Sequence, residues 1–561
     1  MAEERIATDV LIAGGGPVGL VAAIELARRG VRAVLLNDKP ETATHPKANA
    51  IGARSMEHFR RLGVARRIRG AGLDDDHPTD VSYFTSLTGI ELARLRMPCR
   101  TDILRMARAG EGPWSTPEPP HRCSQIFLER ALRERAAEVG AELRFGWKLD
   151  AFREEKGGVA ATAEEVPSGR RVEIAARYLV GCDGAASIVR RALGIELEGE
   201  RGVVRPMMGG SMHSAYFRAR LDASWLRVGK SWQYWVVNPD IRSLIIHVDS
   251  RDLFLIQVPV PEGVDRRAVD SRDLLHRSAR ANFPMEILST VPWTAGHSLV
   301  AQRYGAGRVF LAGDSAHLFT PTGGLGMNTG VDDAVNLAWK LAAAIRGWGG
   351  DALLASYEAE RRPIGIRNVT YAATMATSVG TVPVSKAVDE DTAAGREERA
   401  RLGAYLADHA FREFIIPGVQ LGLRYAGSPI VVADGAAFPE DTPNSFAQAA
   451  CPGMRAPHLW LGDDALYDRF GPEFTLLRFA GSTKGDAIRA AAARHGVPLS
   501  VVDVPGDAAR DLYGADLALI RPDQHVAWRG SADPADAAGV IDTVTGVIPG
   551  AAQHAMLPPG T

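Results

Sequence analysis

Apolar and polar positions follow two rhythms along this 561-residue chain, one of period near 3.6 and one of period 2, with polar breaks between. Residues 8–13 are apolar and rich in β-formers, 18–28 carry apolar side chains at helical spacing, and 31–36 are apolar again. The chain is therefore predicted to open with a strand–helix–strand unit. Residues 54–62 predict a helix, and the polar stretch 73–120, punctuated by Gly and Pro, predicts loops and short strands. Helical spacing returns at 123–139, and 141–180 predicts several strands, including the alternating run 171–180. Residues 203–294 predict mainly β-structure, with strands at 243–248 and 253–258. A short strand is expected at 308–313 and helices at 331–344 and 353–369, with a linker or surface loop at 380–398. Pro439 and Pro443 among acidic residues mark a boundary at 432–444. Beyond it, strands at 474–479 and 499–504, a helix at 484–495 and a hairpin at 518–528 predict a small α/β domain. No internal repeat or sustained coiled coil is present.

The segment Gly14-Gly15-Gly16-Pro17-Val18-Gly19 joins the first predicted strand to the first helix. This is the dinucleotide fingerprint: Gly14 permits a tight turn, Gly16 lets backbone approach a pyrophosphate, and Gly19 lets helix and strand pack closely. Alone it leaves FAD and NAD(P) undecided, and a glycine turn without a ligand is the plain alternative. Where the fingerprint expects an acid on the ribose, the second strand ends in Asn37, followed by Asp38. Asn37 is the expected contact through its amide, and Asp38 takes over after a small register change.

A second signature, YLVGCDGAASIVR (178–190), places Asp183 and Gly184 after a strand, with Ser187 and Arg190 on the next turn. A third, RVFLAGDSAHLFTPTGGLGMNTGVDDAVNLAWKL (308–341), joins a strand, Gly313-Asp314, a glycine loop and a long helix. In these three ordered motifs the chain resembles the class A FAD-dependent aromatic hydroxylases, the group of para-hydroxybenzoate, phenol and hydroxyphenylpropionate hydroxylases. The resemblance runs from residue 6 to about 370 and includes PKANAIGARSMEHFRRLGV (46–64) and CSQIFLERAL (123–132). It implies that Arg54 and Gln125 contact FAD, that Asp183 and Gly184 serve cofactor packing and the nicotinamide path, and that Asp314 binds the FAD ribose. Pro321, Gly324, Gly326, Met327 and Asn328 complete the implied cofactor set. The physical reading agrees, because a carboxylate accepts two hydroxyl bonds and the free N–H groups opening a helix stabilise negative charge on reduced flavin. The plain alternative is that Asp314 caps a turn and Gly323 to Gly326 reverse the chain.

The implied fold is α/β. A Rossmann-like FAD-binding domain spans 1–180 and 300–400, an inserted β-sheet substrate domain 185–299, a connecting region 401–443, and a thioredoxin-like C-terminal domain 444–561. The last resembles family tails in CPGMRAPHLWL (451–461) and LIRPDQHVAWRG (519–530), but it lacks the redox cysteine pair, so a structural or assembly role is expected. The implied activity is NAD(P)H-dependent hydroxylation of a phenolic or polycyclic aromatic by O₂ through a flavin C4a-hydroperoxide. The protein then has to hold the ring, exclude water and stabilise developing charge. A flavin-dependent halogenase and a non-catalytic FAD- or ligand-binding protein are the rival readings. SWQYWVV (231–237) does not reproduce the halogenase tryptophan motif.

Within the β-rich insertion, Trp232, Tyr234 and Trp235, with Met207, Met208 and Met212, line a pocket or form ordinary sheet core. Alternation puts Trp232 and Tyr234 on one face and Trp235 on the other. His317 reads as structural, His45, His213 and His247 as satisfied or exposed histidines, and no general base is nominated.

Composition narrows the partners. Lys plus Arg (65) nearly balance Asp plus Glu (67), so no global field favours nucleic acid or an anionic membrane. The expected partners are an aromatic small molecule and O₂, with a homo-oligomer left open. Cys99, Cys123, Cys182 and Cys451 form no CxxC pair, which argues against a zinc site or disulfide framework and fits a reducing cytoplasm. No signal peptide or membrane-spanning run is read.

Overall fold

The computed structural model describes residues 4–220, 229–266 and 268–547. Its first unit is a six-stranded sheet in the order Gly305–Ala306, Val309–Leu311, Tyr178–Gly181, Val10–Ala13, Ala33–Asn37, Glu142–Phe145. All pairings are parallel except the first. The Val10–Ala13 strand is buried throughout, as a parallel strand covered on both faces must be. Because the strands run together, the segments after Ala13, Asn37, Gly181 and Leu311 emerge at one edge, where open α/β sheets bind ligands. The three sequence signatures therefore converge in space.

The helix Pro17–Arg28 packs against Gln125–Glu138 and against the long helix Leu325–Arg346. Gly14 sits at φ 109°, and a Cβ there would strike the Cys182 carbonyl. A Cβ on Gly19 would strike the Gly14 carbonyl, so its role is close packing of helix on strand. A four-stranded sheet, Glu4–Ala7, Arg171–Ala176, Gly158–Glu165 and Trp147–Glu155, flanks this unit.

The second unit is a seven-stranded sheet in the order Glu286–Ala295, Gly210–Arg218, Leu253–Pro259, Arg242–His247, Gln233–Val237, Val81–Phe84, Glu91–Leu95. The inserted sheet is thus larger than the expected 185–299, because residues 81–95 supply two of its strands. The same stretch, expected to hold only loops and short strands, also contains the helix Arg100–Ala109, which buries only Ala107. A further correction concerns the 353–369 helix, which spans Asp351–Thr381, runs through Pro363, and ends inside the expected linker. Its added turns bury Ala376 and Val379 against the seven-stranded sheet. Burial against a distant sheet outweighs the local small, polar composition there.

Residues 401–443 are not merely connecting. The helix Ala393–Phe414, capped by the Thr392 hydroxyl, covers the seven-stranded sheet with Leu402, Leu406, Ala410 and Phe414. The last unit has a four-stranded sheet, Leu499–Val504, Phe474–Phe479, Leu517–Ile520 and Val526–Gly530, with helices Asp486–Arg494 and Ala537–Thr545. Its Phe474, Leu476, Leu519 and Trp528 share an apolar cluster with Trp339, Trp348 and Leu353 of the first unit. Residues 548–561, expected to end this domain, lie outside the described residues. Among the described residues no helix is long and apolar enough to cross a membrane.

Candidate active site

One cleft of about 1370 Å³ runs from the convergent edge of the six-stranded sheet to the face of the seven-stranded sheet. Its first half is walled by Gly14 to Val18, Asn37, Gln125, Asp183, Gly184, Asp314 and residues 320–328. Two helices open onto it. Pro17–Arg28 begins at Gly16 and Leu325–Arg346 at Gly324, and neither has a side-chain cap, so their first N–H groups remain available to a ligand. A Cβ on Gly16 would meet nothing within 4 Å, which leaves the backbone open to close approach.

The signature side chains brace this half. Asn37 Oδ1 accepts from Gly15 N (3.1 Å) while its amide donates to the Lys39 carbonyl (3.1 Å), so the end of the second strand holds the glycine turn. Asp38 is exposed and pairs with Lys39 at 3.0 Å. Gln125 donates to Glu129 at 2.5 Å. Asp183 Oδ2 accepts from Ile188 N (2.8 Å) and Val189 N (3.2 Å), whereas its Oδ1 is buried without a partner. Arg190 donates to the Ser315 carbonyl at 3.1 Å, tying the second signature to the third. Asn328 Oδ1 accepts from Gly52 N (2.8 Å) and Ser55 Oγ (2.7 Å).

Asp314 follows the Val309–Leu311 strand in a 3₁₀ turn and opens onto the cleft. It makes no hydrogen bond or ion pair to protein among the described residues. Its carboxylate is exposed to the open cleft, and the desolvation imposed by the surrounding protein raises its pKa above the ordinary carboxylate value against the pull of His317 and Lys47. Gly313 lies beneath, packed on Val18 and Gly330.

Arg54 departs from expectation. Its guanidinium leaves the cleft and donates to Glu57 (2.8 Å), to Gln524 (2.9 Å) and to the Asp523 carbonyl of the C-terminal unit. Helix Ala53–Arg61 starts at the cleft, but its first residue with a long side chain points away, so Gly52 and Asn328 take the cleft side.

The second half of the cleft is lined by Met208, Trp232, Gln233, Trp235, Leu244, Ile246, Phe319 and Phe414. The strand begins at Gln233, so Trp232 precedes it and escapes the alternation. Trp232 and Trp235 consequently share the cleft-side cluster, and Tyr234 packs on the other face. Met207 is in the cleft-side core without lining the cleft, and Met212 is buried in its strand. His45 lines the cleft, bonded to Ser289 (2.8 Å) and Ser214 (3.1 Å), with burial depressing its pKa to about 4. His213 pairs with Ser271, His247 with His77, and His317 with Asp333 at 2.7 Å, all away from the cleft lining.

Sequence reasoning missed Arg122, Glu413, Phe414 and Gln420. Arg122 falls just before a recognised motif. The others come from the end of the Ala393–Phe414 helix and its continuation, in a region with no local chemical signature; Glu413 reaches the glycine loop and accepts from Gly323 N at 3.0 Å.

This donor set fits FAD: uncapped helix ends for a pyrophosphate, an unpartnered carboxylate for ribose hydroxyls, and open backbone at Gly16. A family model described as FAD binding domain matches residues 7–372, and one described as aromatic-ring hydroxylase, C-terminal, matches 449–548. The chain belongs to the FAD-dependent aromatic hydroxylases. Among relatives of this hydroxylase, a putative polyketide hydroxylase of Streptomyces halstedii is 33% identical, covering 96% of each chain. The rebeccamycin biosynthetic enzyme RebC with reduced flavin is 37% identical at TM-score 0.86, covering 97% of this chain and 100% of its own. Aklavinone-11 hydroxylase with FAD and aklavinone is 30% identical at TM-score 0.78, covering 96% and 99%. The hydroxylase is therefore an FAD-dependent monooxygenase, which sets aside the halogenase and non-catalytic readings.

Proposed function

We propose that this monooxygenase hydroxylates a multi-ring oxygenated aromatic, of polyketide type, with NAD(P)H as reductant. The carrying observation is the size and continuity of the cleft. At about 1370 Å³ it exceeds the roughly 300–1,000 Å³ of an ordinary small-molecule site, and its second half is lined by Trp232, Trp235, Phe319 and Phe414 among aliphatic side chains. Cofactor and an extended planar substrate fit end to end. The polyketide and aklavinone hydroxylases among its relatives support this class.

FAD, when bound, would supply the redox chemistry between a nicotinamide reductant and O₂. Gly14 to Val18, Gln125, Asp183 and Asp314 bind and orient the cofactor, and the opening turn of Leu325–Arg346 stabilises negative charge next to it. Trp232, Trp235, Leu244, Ile246 and Phe414 hold the ring and exclude water, while Glu413 fixes the glycine loop through Gly323 N.

The test is product mass analysis with ¹⁸O₂ on phenols, naphthols and polycyclic hydroxyquinones, using FAD and each nicotinamide. One labelled oxygen is expected in multi-ring products, with single-ring phenols turned over poorly. Preference for single rings overturns the substrate class.

A further inference from the structure

The cleft's lysines, Lys39, Lys47 and Lys148, are exposed and solvated. Arg122 is not. It stands where the two halves of the cleft meet, three residues before Gln125, and also borders a small side pocket lined by Leu73, Met97, Ile103 and Trp114. Its backbone is held in place because neighbouring His121 exchanges hydrogen bonds with Ile51, both at 2.9 Å. The guanidinium lies 4.1 Å from the centroid of the Trp232 ring, and Trp232 meets Phe414 edge-on at 5.9 Å.

What Arg122 lacks, among the described residues, is an anion. Its remaining polar contact is a weak one to Met97 Sδ at 3.8 Å, and burial alone acts on its pKa, pushing it down to about 10. Three more deeply buried arginines contrast with this. Arg361, Arg455 and Arg521 are each clasped by carboxylates, and their pKa values are raised. A desolvated guanidinium without a counter-charge is costly, and the fork of N–H donors matches an ionised oxygen group that arrives with a ligand.

We propose that Arg122 is the anion-recognition residue of the substrate site, pairing with an ionised oxygen on the aromatic substrate, either a carboxylate or an acidic ring hydroxyl, and so selecting acidic aromatics over neutral ones. The proposal rests on the aromatic-hydroxylase reading above. Trp232 holds the guanidinium plane through a cation–π contact, and Phe414 sets the edge of the ring slot. In the ring-hydroxyl case the pairing also favours the ionised ring, which is the more electron-rich one.

The experiment titrates the holoenzyme with 1-hydroxy-2-naphthoate against its amide, and with 2,4-dinitro-1-naphthol against 1-naphthol, following the flavin spectrum. The first pair isolates a carboxylate and the second an ionised ring hydroxyl. In the wild type, at least one acidic member binds about tenfold or more tightly than its neutral partner. Arg122→Met erases that preference and leaves the neutral ligand within about twofold, while Arg122→Lys keeps part of it. FAD content stays the same, and the melting temperature of Arg122→Met is no lower than wild type, since a half-buried cation without a bonded anion has been removed. Equal binding of acid and neutral partners in the wild type, preference surviving in Arg122→Met, or FAD lost from that variant each overturns the proposal. If neutral arenes bind and acids gain nothing, only this inference fails. If no arene of either kind perturbs the flavin, the aromatic-substrate reading falls and takes the inference with it.

Discussion

The helix Leu325–Arg346 passes through two regions that treat charge in opposite ways. At its first turn it faces the cleft, where Asp314, Asp183 Oδ1 and Arg122 make no ion pair among the described residues. Two turns later it enters a dry ion network against the C-terminal unit. There Arg361 clasps Asp332 and Asp333 (2.8 Å), and Arg521 bridges Glu360 (2.6 Å) and Asp523 (2.6 Å). Lys340 adds to Glu360 at 2.7 Å, and Arg455 to Glu57 at 2.9 Å. Buried charge survives in a fold only with compensation. In the network the chain compensates itself, and the pairs tie the C-terminal unit to the rest of the fold. In the cleft the compensation has to come from cofactor and substrate.

The comparison breaks most visibly at Arg361. Arg361→Met leaves Asp332 and Asp333 buried without their cation and should cost about 3–5 kcal/mol of stability, measured by chemical denaturation. A loss below about 1 kcal/mol would mean that the network is ornamental.

Acid should destabilise the apo-protein through its buried histidines and carboxylates. Burial holds His58 at a pKa of about 4 and His121 and His458 at about 3, while arginine partners hold Glu57 and Glu25 at about 2 against their desolvation. In both groups the unfolded chain binds protons first on acidification. The stabilisation is complete above about pH 6.5 and is lost as pH falls, through the histidines down to about 3 and through the carboxylates from about 4.5 to 2. Melting temperatures of the apo-protein from pH 8 to pH 4 should decline monotonically below about 6.5, and a flat profile would contradict this picture.

At the cleft, Asp314→Ala should weaken FAD affinity by about tenfold to a hundredfold, the equivalent of about 1.5–3 kcal/mol of charge-assisted hydrogen bonds. Apo-protein melting should hold or rise, because the carboxylate lacks a protein partner. Collapse of the apo-protein would return Asp314 to the role of a turn cap. The smallest effects belong outside both regions. Asp38→Ala, at an exposed pair, should change stability by no more than about 0.5 kcal/mol. Cys451→Ser should leave turnover nearly unchanged, since Cys451 is a free thiol whose contact is the Ala437 carbonyl at 3.5 Å.

The difference between the regions also explains what was readable in advance. Gly14, Gly16, Asn37, Asp183 and Asp314 reach the cleft because each lies within a few residues of a strand end, and parallel strands deliver their ends to one edge. Arg54 was misplaced because a helix has several faces, and only packing decided that its side chain would serve Asp523 and Gln524. Trp232 and Trp235 came to one face because the strand starts one residue after Trp232, a register that pairing with Val81–Phe84 and Arg242–His247 sets.

From the sequence alone came the strand–helix–strand entry, the order of the three signatures and the α/β class with its separate C-terminal unit, since these depend on local periodicity and on glycines whose backbone needs are local. Tertiary structure alone decided the seven-stranded sheet that borrows residues 81–95, the helix that carries Glu413 and Phe414 to the cleft from over 80 residues beyond the glycine loop, and the pairing of each buried charge. Those outcomes depend on which distant surfaces exclude water together, and that energy is carried by no single segment of the chain.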